Sequence, residues 1–175
     1  MKPVLFSPHS DDETLFAFYT AMRHKPRIVI CFPSERDYGD TIARMHESRA
    51  AMSLIGIDDV VQWQHTRGFK DVLYAMLEYD ARYRPESVWA PDLRTSHPHH
   101  RAVAQAASEA FESRLQTFHT YDEHGKVTDG VQVPHEPEWA ALKLDALACY
   151  RTQIEHPRAR VFFNWPIDEY AGVGA

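Results

Sequence analysis

Residues 3–32 read PVLFSPHSDDETLFAFYTAMRHKPRIVICF, and the order of apolar and polar residues in this stretch indicates the fold. A short apolar run ends in a polar loop at 7–13, and acidic residues then lead into apolar residues at helical spacing, as is typical of a helix N-terminus. A continuous apolar run at 27–32 predicts a buried strand. The stretch therefore predicts a strand, a loop, a helix and a second strand.

The rest of the chain continues this alternation. Apolar runs predict further strands at 60–63, 88–90, 115–119 and 160–163, with a short run at 131–133. Helical periodicity predicts helices at 41–54, 69–83, 100–111 and 138–152. Strands that alternate with helices predict an α/β domain, with a Rossmann-like three-layer α/β/α arrangement and a mainly parallel sheet.

The spacing of apolar residues also predicts the buried side of two of these helices. For helix 41–54 the residues expected to face inward are Ile42, Met45, Ala50 and Leu54, with Gly56 ending the helix. For helix 69–83 they are Val72, Leu73, Met76 and Leu77.

Length and composition limit the class of protein. The chain has 175 residues, 44% of them hydrophobic, which fits one domain over 1–175. A net charge of −6 without a block of Lys or Arg argues against general affinity for nucleic acids. No stretch reaches the ~20 apolar residues of a membrane span. The N-terminus turns polar too soon for a signal peptide, so we expect a cytoplasmic protein with two reduced cysteines.

Histidines and carboxylates concentrate in two loops, which follow the first and fourth predicted strands. The first loop contains PHSDDE at 8–13 and the second contains SHPHHR at 96–101. In open α/β sheets, ligands bind beyond the carboxyl ends of the strands, and both loops lie there. We therefore expect these side chains to form one site.

The residue types in the two loops are those of a catalytic zinc site. Such a site uses about three nitrogen or oxygen ligands and keeps one position open for water. His9 and Asp12 are three residues apart on a turn that enters a helix, and a histidine of the second loop would complete the set. The spacing does not choose among the candidates of that loop. Asp11 remains free to accept a proton from zinc-bound water, whose pKa the metal lowers to ~7.

The motifs of both loops resemble those of a known enzyme family. PHSDDE at 8–13 is similar to the PHxDDE signature, and HPHH at 97–100 to the HPDH motif, of the PIG-L/LmbE family of zinc-dependent N-deacetylases. Further similar segments are RMHE at 44–47, GFKD at 68–71 and KLDALACYRTQ at 143–153. The resemblance thus covers roughly residues 3–155.

This resemblance implies roles for the polar residues of the two loops. The ligands of one Zn²⁺ per chain would be His9, Asp12 and His100. Asp11 would be the general base, and His97, as imidazolium, would stabilise the oxyanion or protonate the leaving amine. Glu13 would cap the helix or support a metal ligand, and Arg44 would face the substrate.

His99 departs from the family motif, which usually has aspartate at this position. If that aspartate orients and charges His97, His99 cannot do so as an anion. Either another carboxylate replaces it, or the pKa of His97 is lower than usual. His99 is also a candidate for contact with the substrate and for competition for the metal.

The function implied is a zinc-dependent hydrolase that removes an N-acetyl or other N-acyl group from a small-molecule amino sugar or sugar conjugate. Two alternatives are a metal-dependent phosphoesterase, for which bridging carboxylates are scarce, and a non-catalytic sugar- or nucleotide-binding domain with an altered site. Loops 33–40, 64–70 and 120–138 would set the substrate. Relatives commonly extend further, so we expect the domain to be short at its C-terminus.

Overall fold

The computed structural model describes residues 2–33 and 40–172, and most of its strands belong to one mixed sheet. Residues 34–39 of the expected loop 33–40, and the terminal residues 173–175, lie outside the described residues. In chain order the strands are β1 Val4–Ser7, β2 Arg27–Ile30, β3 Val60–Gln62, β4 Val88–Pro91, β5 Leu115–Phe118, β6 Tyr121–Asp122, β7 Gly125–Lys126, β8 Val131–Gln132 and β9 Tyr170–Ala171.

The order of strands in the sheet is β3-β2-β1-β4-β5-β9-β8. The first five strands are parallel, with Phe6 opposite Val29 and Leu5 opposite Trp89, whereas β9 pairs antiparallel with β5 and β8. The prediction of a mainly parallel α/β sheet is confirmed. From β1 the chain adds β2 and β3 on one side of the sheet and β4 and β5 on the other. The crevice beyond the carboxyl ends of β1 and β4, where this change occurs, is the expected ligand site.

Helices cover both faces of the sheet. They are α1 Asp12–Phe16, α2 Phe18–His24, α3 Thr41–Ser53, α4 Phe69–Tyr83, α5 Pro98–Phe111, α6 Pro137–Leu147 and α7 Arg151–Ile154. Leu5, Ile28 and Trp89 pack in the core on the side of α1–α3 and α6, while Phe6 and Val29 pack in the core under α4 and α5. Both faces of the parallel strands are therefore buried, which explains their continuous apolar runs.

None of the described helices has the length and apolar character needed to cross a membrane.

The predicted inward face of 41–54 is wrong at three of its four positions. Ile42 is 67% exposed and Leu54 is 47% exposed, and Ala50 is also exposed. The buried side of α3 is formed by Arg44, Met45, Ser48, Ala51 and Met52. The apolar pattern failed because this helix turns polar side chains, Arg44 and Ser48, toward buried carboxylates. In α4 the expectation was also wrong for Leu77, which is 45% exposed.

The largest differences from the predicted elements concern three segments. The helix expected after the first loop is divided at Ala17, and the one at 138–152 is divided between α6 and α7. The strand expected at 160–163 is wrong: its residues form turns and a short 3₁₀ helix, Phe162–Asn164, through local backbone hydrogen bonds. The last strand of the sheet is instead β9, a two-residue element too short to produce a recognisable pattern.

Candidate active site

The loop after β1 and the N-terminus of α5 meet at the carboxyl edge of the sheet. They line a cavity of about 310 Å³ together with Arg44 of α3 and residues of the C-terminal segment. The polar part of its wall is formed by His9, Asp11, Asp12, Arg44, His97 and Gln153. The structure thus brings the two histidine- and carboxylate-rich loops together.

His9, Asp12 and His100 converge on one point. Asp12 Oδ2 lies 3.1 Å from His9 Nδ1 and 3.0 Å from His100 Nε2, and it also accepts the backbone N–H of His9 at 2.9 Å. One potential ligand atom from each of the three lies within 4.8 Å of the other two. Although burial opposes ionisation, the adjacent imidazoles of His100 and His9 hold the pKa of Asp12 well below its usual range.

The donor atoms of this group suit a divalent cation. His100 Nε2 is buried and makes no hydrogen bond within the described residues, although it is close to Asp12 Oδ2. On the other side of the ring, Nδ1 lies 3.2 Å from Thr120 Oγ1, which can accept its proton. This tautomer leaves the Nε2 lone pair facing the carboxylate, and a hydrogen-bonded second nitrogen is typical of metal-bound histidine. The three residues therefore fit a zinc-type ion.

Asp11 lies beside this group and is held by Arg44. Arg44 Nη2 donates to Asp11 Oδ2 at 3.0 Å and also to the Ser10 carbonyl. Burial, assisted by Asp12 and Glu13, raises the pKa of Asp11 well above its usual range, while Arg44 opposes the shift. A carboxyl of raised pKa is suited to taking up a proton. Arg44, expected to face the substrate, lines the cavity with its guanidinium on Asp11.

Glu13 is the centre of a buried hydrogen-bond network. Its Oε2 accepts from Ser7 Oγ at 3.0 Å and from the Asp11 backbone N–H at 3.1 Å. Its Oε1 accepts from Ser48 Oγ at 2.6 Å and Tyr150 OH at 2.7 Å. Glu13 thus supports the backbone of Asp11. The sequence analysis missed Ser48 and Tyr150, although a serine amid the predicted inward face of helix 41–54 was an available signal.

His97 caps the N-terminus of α5, and its surroundings disfavour its charged form. Its Nδ1 accepts the backbone N–H of His99 at 3.2 Å, with Pro98 in the first turn, so the helix starts two residues earlier than expected. Burial, with the charges of His9 and His100, lowers the pKa of His97 to about 3. Since Nδ1 is an acceptor, the proton of the neutral ring is on Nε2. A pKa this low favours the neutral ring over the imidazolium expected from the sequence.

His99 contacts His9 rather than orienting His97 through its side chain. Its Nδ1 is 2.9 Å from His9 Nε2, and its ring stacks on Phe32 with a centroid distance of 4.0 Å and an angle of 11°. No carboxylate within 2–33 and 40–172 forms an ion pair with His97. The sequence left two alternatives for the missing aspartate, a replacement by another carboxylate or a lower pKa of His97. The lowered pKa of His97 agrees with the second alternative.

The family model PIG-L, described as GlcNAc-PI de-N-acetylase, matches residues 4–111. No curated protein matches the chain.

Several solved structures share the fold. A conserved protein from Thermus thermophilus, TT1542, is 17% identical with a TM-score of 0.71, and the match covers 100% of this chain and 96% of that one. The N,N′-diacetylchitobiose deacetylase from Pyrococcus horikoshii is 16% identical with a TM-score of 0.67 over 87% and 70% of the two chains. A triple mutant of a deacetylase of the teicoplanin biosynthetic pathway is 15% identical with a TM-score of 0.68 over 100% and 99%. At these identities the likeness establishes the fold.

Proposed function

The chain belongs to the PIG-L family of GlcNAc-PI de-N-acetylases, and from this premise we propose that it is a zinc-dependent hydrolase that removes an N-acetyl or other N-acyl group from an amino sugar or sugar conjugate. One observation carries the proposal: the buried carboxylate of Asp11 adjoins the group His9, Asp12 and His100, and Asp11 lines one cavity together with His9 and Asp12. Amide hydrolysis needs a site for the ion and a base for the water, and this arrangement provides both.

His9, Asp12 and His100 would hold one Zn²⁺ per chain, which when bound supplies Lewis acidity toward the acyl carbonyl and lowers the pKa of water. Arg44 engages Asp11 Oδ2. We assign proton uptake from the attacking water to Asp11 Oδ1. The water oxygen bonds to the acyl carbon, the C–N bond then breaks, and Asp11 returns the proton to the leaving nitrogen. A positioned base of this kind contributes about 10²–10⁴-fold to the rate.

His97 is assigned to the oxyanion that forms at the acyl carbon. As a neutral ring it donates a hydrogen bond through Nε2–H, because Nδ1 is occupied by the backbone N–H of His99. A hydrogen bond aimed at the developing negative charge stabilises the transition state more than the bound substrate. This role replaces the imidazolium expected from the sequence, and proton delivery to the amine falls to Asp11.

The apolar wall of the cavity supports a ring-shaped substrate. Phe16, Tyr121 and Phe162 line it, with ring centroids 6.0 Å apart for Phe16 and Tyr121 and 5.1 Å apart for Tyr121 and Phe162. An aromatic surface opposite the polar residues suits the apolar face of a sugar. A cavity of about 310 Å³ is at the lower end of ligand sites, so we expect it to enclose a single N-acylated unit.

The proposal is tested by measuring free-amine release from a panel of N-acetylated sugars and sugar conjugates. We expect release by zinc-loaded protein, its loss after chelation, and its recovery when Zn²⁺ is returned. The same preparations are assayed with phosphate esters. Phosphate release without amine release would replace the proposal with a phosphoesterase. Binding of N-acetylated sugars without any hydrolysis would identify a non-catalytic domain.

A further inference from the structure

Both nitrogens of the His9 ring have a neighbour. Nδ1 lies 3.1 Å from Asp12 Oδ2, on the side of the proposed zinc ligands, and Nε2 lies 2.9 Å from His99 Nδ1. A neutral imidazole has one lone pair and one N–H, so a ring that gives its Nδ1 lone pair to an ion carries its proton at Nε2. His99 Nδ1 can accept this proton in a hydrogen bond when the proton of its own ring is on Nε2.

The contact between His9 and His99 is of a kind that metal-binding histidines normally make. The second nitrogen of such a histidine usually donates to a carboxylate, a backbone carbonyl or water, which fixes the tautomer and the orientation of the ring. Among residues 2–33 and 40–172, Asp12 is the carboxylate that pairs with His9, and it does so at Nδ1. At Nε2 the partner is the imidazole of His99.

The ring of His99 is held in place by Phe32. The two rings stack with a centroid distance of 4.0 Å and an angle of 11°. Phe32 is 2% exposed, and its backbone N–H donates to the Pro8 carbonyl at 3.0 Å, next to His9. The residue under His99 is thus tied to the loop that carries His9, and little rotamer freedom is lost when the two histidines form their hydrogen bond.

We propose that His99 is a positioning residue for the zinc site: its Nδ1 accepts the Nε2–H of His9 and so keeps the Nδ1 lone pair of His9 available to the ion. This role rests on the proposed function only in that the ion is the one assigned to His9, Asp12 and His100. The described residues that line the cavity include His9 and His97 but not His99. The geometry therefore favours support of a ligand over the contact with substrate expected from the sequence.

The contacts made by residue 99 can be separated by substitution. Its backbone N–H donates to His97 Nδ1 at 3.2 Å, and every residue type except proline supplies this group. Its side chain supplies the acceptor for His9, and the face of its ring supplies the stack on Phe32. A variant can therefore lose the acceptor or the stack alone while it keeps the hydrogen bond to His97.

The test compares the zinc affinity of full-length variants, measured by competition with a chromophoric chelator. His99→Phe keeps a ring for the stack but has no acceptor, and should bind zinc about 10–100-fold more weakly than the wild type. His99→Asn loses the stack but places an amide oxygen where the imidazole has Nδ1, and should bind zinc more tightly than His99→Phe. The control His124→Asn, at a side chain that is 84% exposed, should match the wild type.

A role in stacking alone predicts the opposite order of the two variants. Weaker zinc binding by His99→Asn than by His99→Phe, or wild-type affinity in His99→Phe, would overturn the role of His99. Folding is checked by circular dichroism, and two further variants replace any that fails to fold. His99→Asp also has an acceptor and should bind zinc more tightly than His99→Leu, which has none.

The tautomers provide a second readout, which needs no substitution at the site. In the zinc-loaded wild type labelled with ¹⁵N at histidine, correlations between ring protons and ring nitrogens distinguish the protonated nitrogen from the other. We expect the proton on Nε2 in both His9 and His99. A proton on His99 Nδ1 would exclude the hydrogen bond and overturn the role of His99.

Neither readout depends on the reaction that the protein performs. The expected order of zinc affinities without amine release from any N-acylated sugar would refute the proposed function alone. Amine release together with equal zinc affinities in all the variants would refute only the role of His99.

Discussion

Asp11, which we propose as the base of the reaction, has an unusual backbone conformation. Its φ is 129°, in a region that residues other than glycine rarely adopt. Its N–H donates to Glu13 Oε2 at 3.1 Å, and its carbonyl accepts the N–H groups of Thr14 and Leu15 at 2.9 and 2.8 Å. Such strain costs about 1–3 kcal/mol and persists where surrounding contacts enforce it. Here they hold the carboxylate beside the proposed metal ligands.

This strain predicts an order of stability for two variants at position 11. Asp11→Gly and Asp11→Ala both remove the carboxylate and its pairing with Arg44, but only alanine keeps the Cβ at positive φ. We expect the free energy of unfolding in urea to be about 1 kcal/mol higher for Asp11→Gly, after allowance for the greater entropy of the unfolded glycine chain. Equal stabilities, or a more stable alanine variant, would show that the conformation stores no strain.

The separation along the chain between contacting residues decides which residues of the site can be identified from sequence. His9, Asp11 and Asp12 stand close together in one loop, and a short motif is enough to single them out. Ser48 and Tyr150 reach Glu13 across 35 and 137 residues, respectively. Neither spacing nor periodicity carries information over such separations, so the support of the site becomes visible only in the folded chain.

Helix α3 shows how a functional requirement can reverse the expected face of a helix. Arg44 is 4% exposed and Ser48 is fully buried, and both hydrogen-bond to acidic residues of the first loop. Met52 packs beside them without exposure, whereas Ile42 faces solvent. Apolar periodicity locates a buried face only when that face is apolar, which explains why the helix was located correctly and its orientation was not.

The orientation of α3 is tested by two truncations to alanine. Met52→Ala removes a fully buried side chain and should lower the free energy of unfolding by about 2–5 kcal/mol, through lost burial and the cavity left behind. Ile42→Ala removes a side chain that is 67% exposed and should change it by no more than about 0.5 kcal/mol. Denaturant unfolding of both variants is the measurement. A larger loss for Ile42→Ala would restore the face expected from sequence.

At the scale of the whole molecule, a buried ion pair connects the C-terminal segment to the helical layer. Lys143 Nζ donates to Glu169 Oε1 at 2.6 Å and to the carbonyls of Leu15 and Ile167. Glu169 Oε2 accepts the Tyr19 backbone N–H at 3.0 Å. The pair thereby joins α1, α2 and α6 to the approach to β9. Continuous apolar runs predicted the parallel centre of the sheet, but β8 and β9 depend on such long-range contacts.

Tyr19 lies at this junction, and its buried hydroxyl leads us to expect that the free energy of unfolding falls at alkaline pH. Its hydroxyl is buried and has no hydrogen-bond partner among the described residues. Burial, with the charges of Glu169 and Asp168, raises the pKa of Tyr19 above its ordinary value of 10.0. Above that pH the unfolded chain loses a proton that the folded protein keeps, so the stabilisation present below pH 10 declines as the pH rises.

Comparison of Tyr19→Phe with the wild type isolates this contribution. The free energy of unfolding of both proteins is measured in urea at pH 8 and at about pH 10.5. Over this interval the wild type should lose about 0.8 kcal/mol more than Tyr19→Phe. At pH 8 the substitution should cost nothing, because the hydroxyl it removes has no partner. Tyr74→Phe, at a site that is 71% exposed, should show no such shift. The same pH dependence in both variants would contradict the role of Tyr19.

The central claim is that Asp11 is the base of a metal-dependent deacetylase. It is tested most directly by measuring amine release and bound zinc on the same samples of wild type, Asp11→Asn and the control Asp145→Asn, whose residue is exposed on α6. We predict that Asp11→Asn keeps the zinc held by His9, Asp12 and His100 and loses about 10²–10⁴-fold in kcat, while Asp145→Asn matches the wild type. A zinc-loaded Asp11→Asn variant with near-normal kcat would contradict the account.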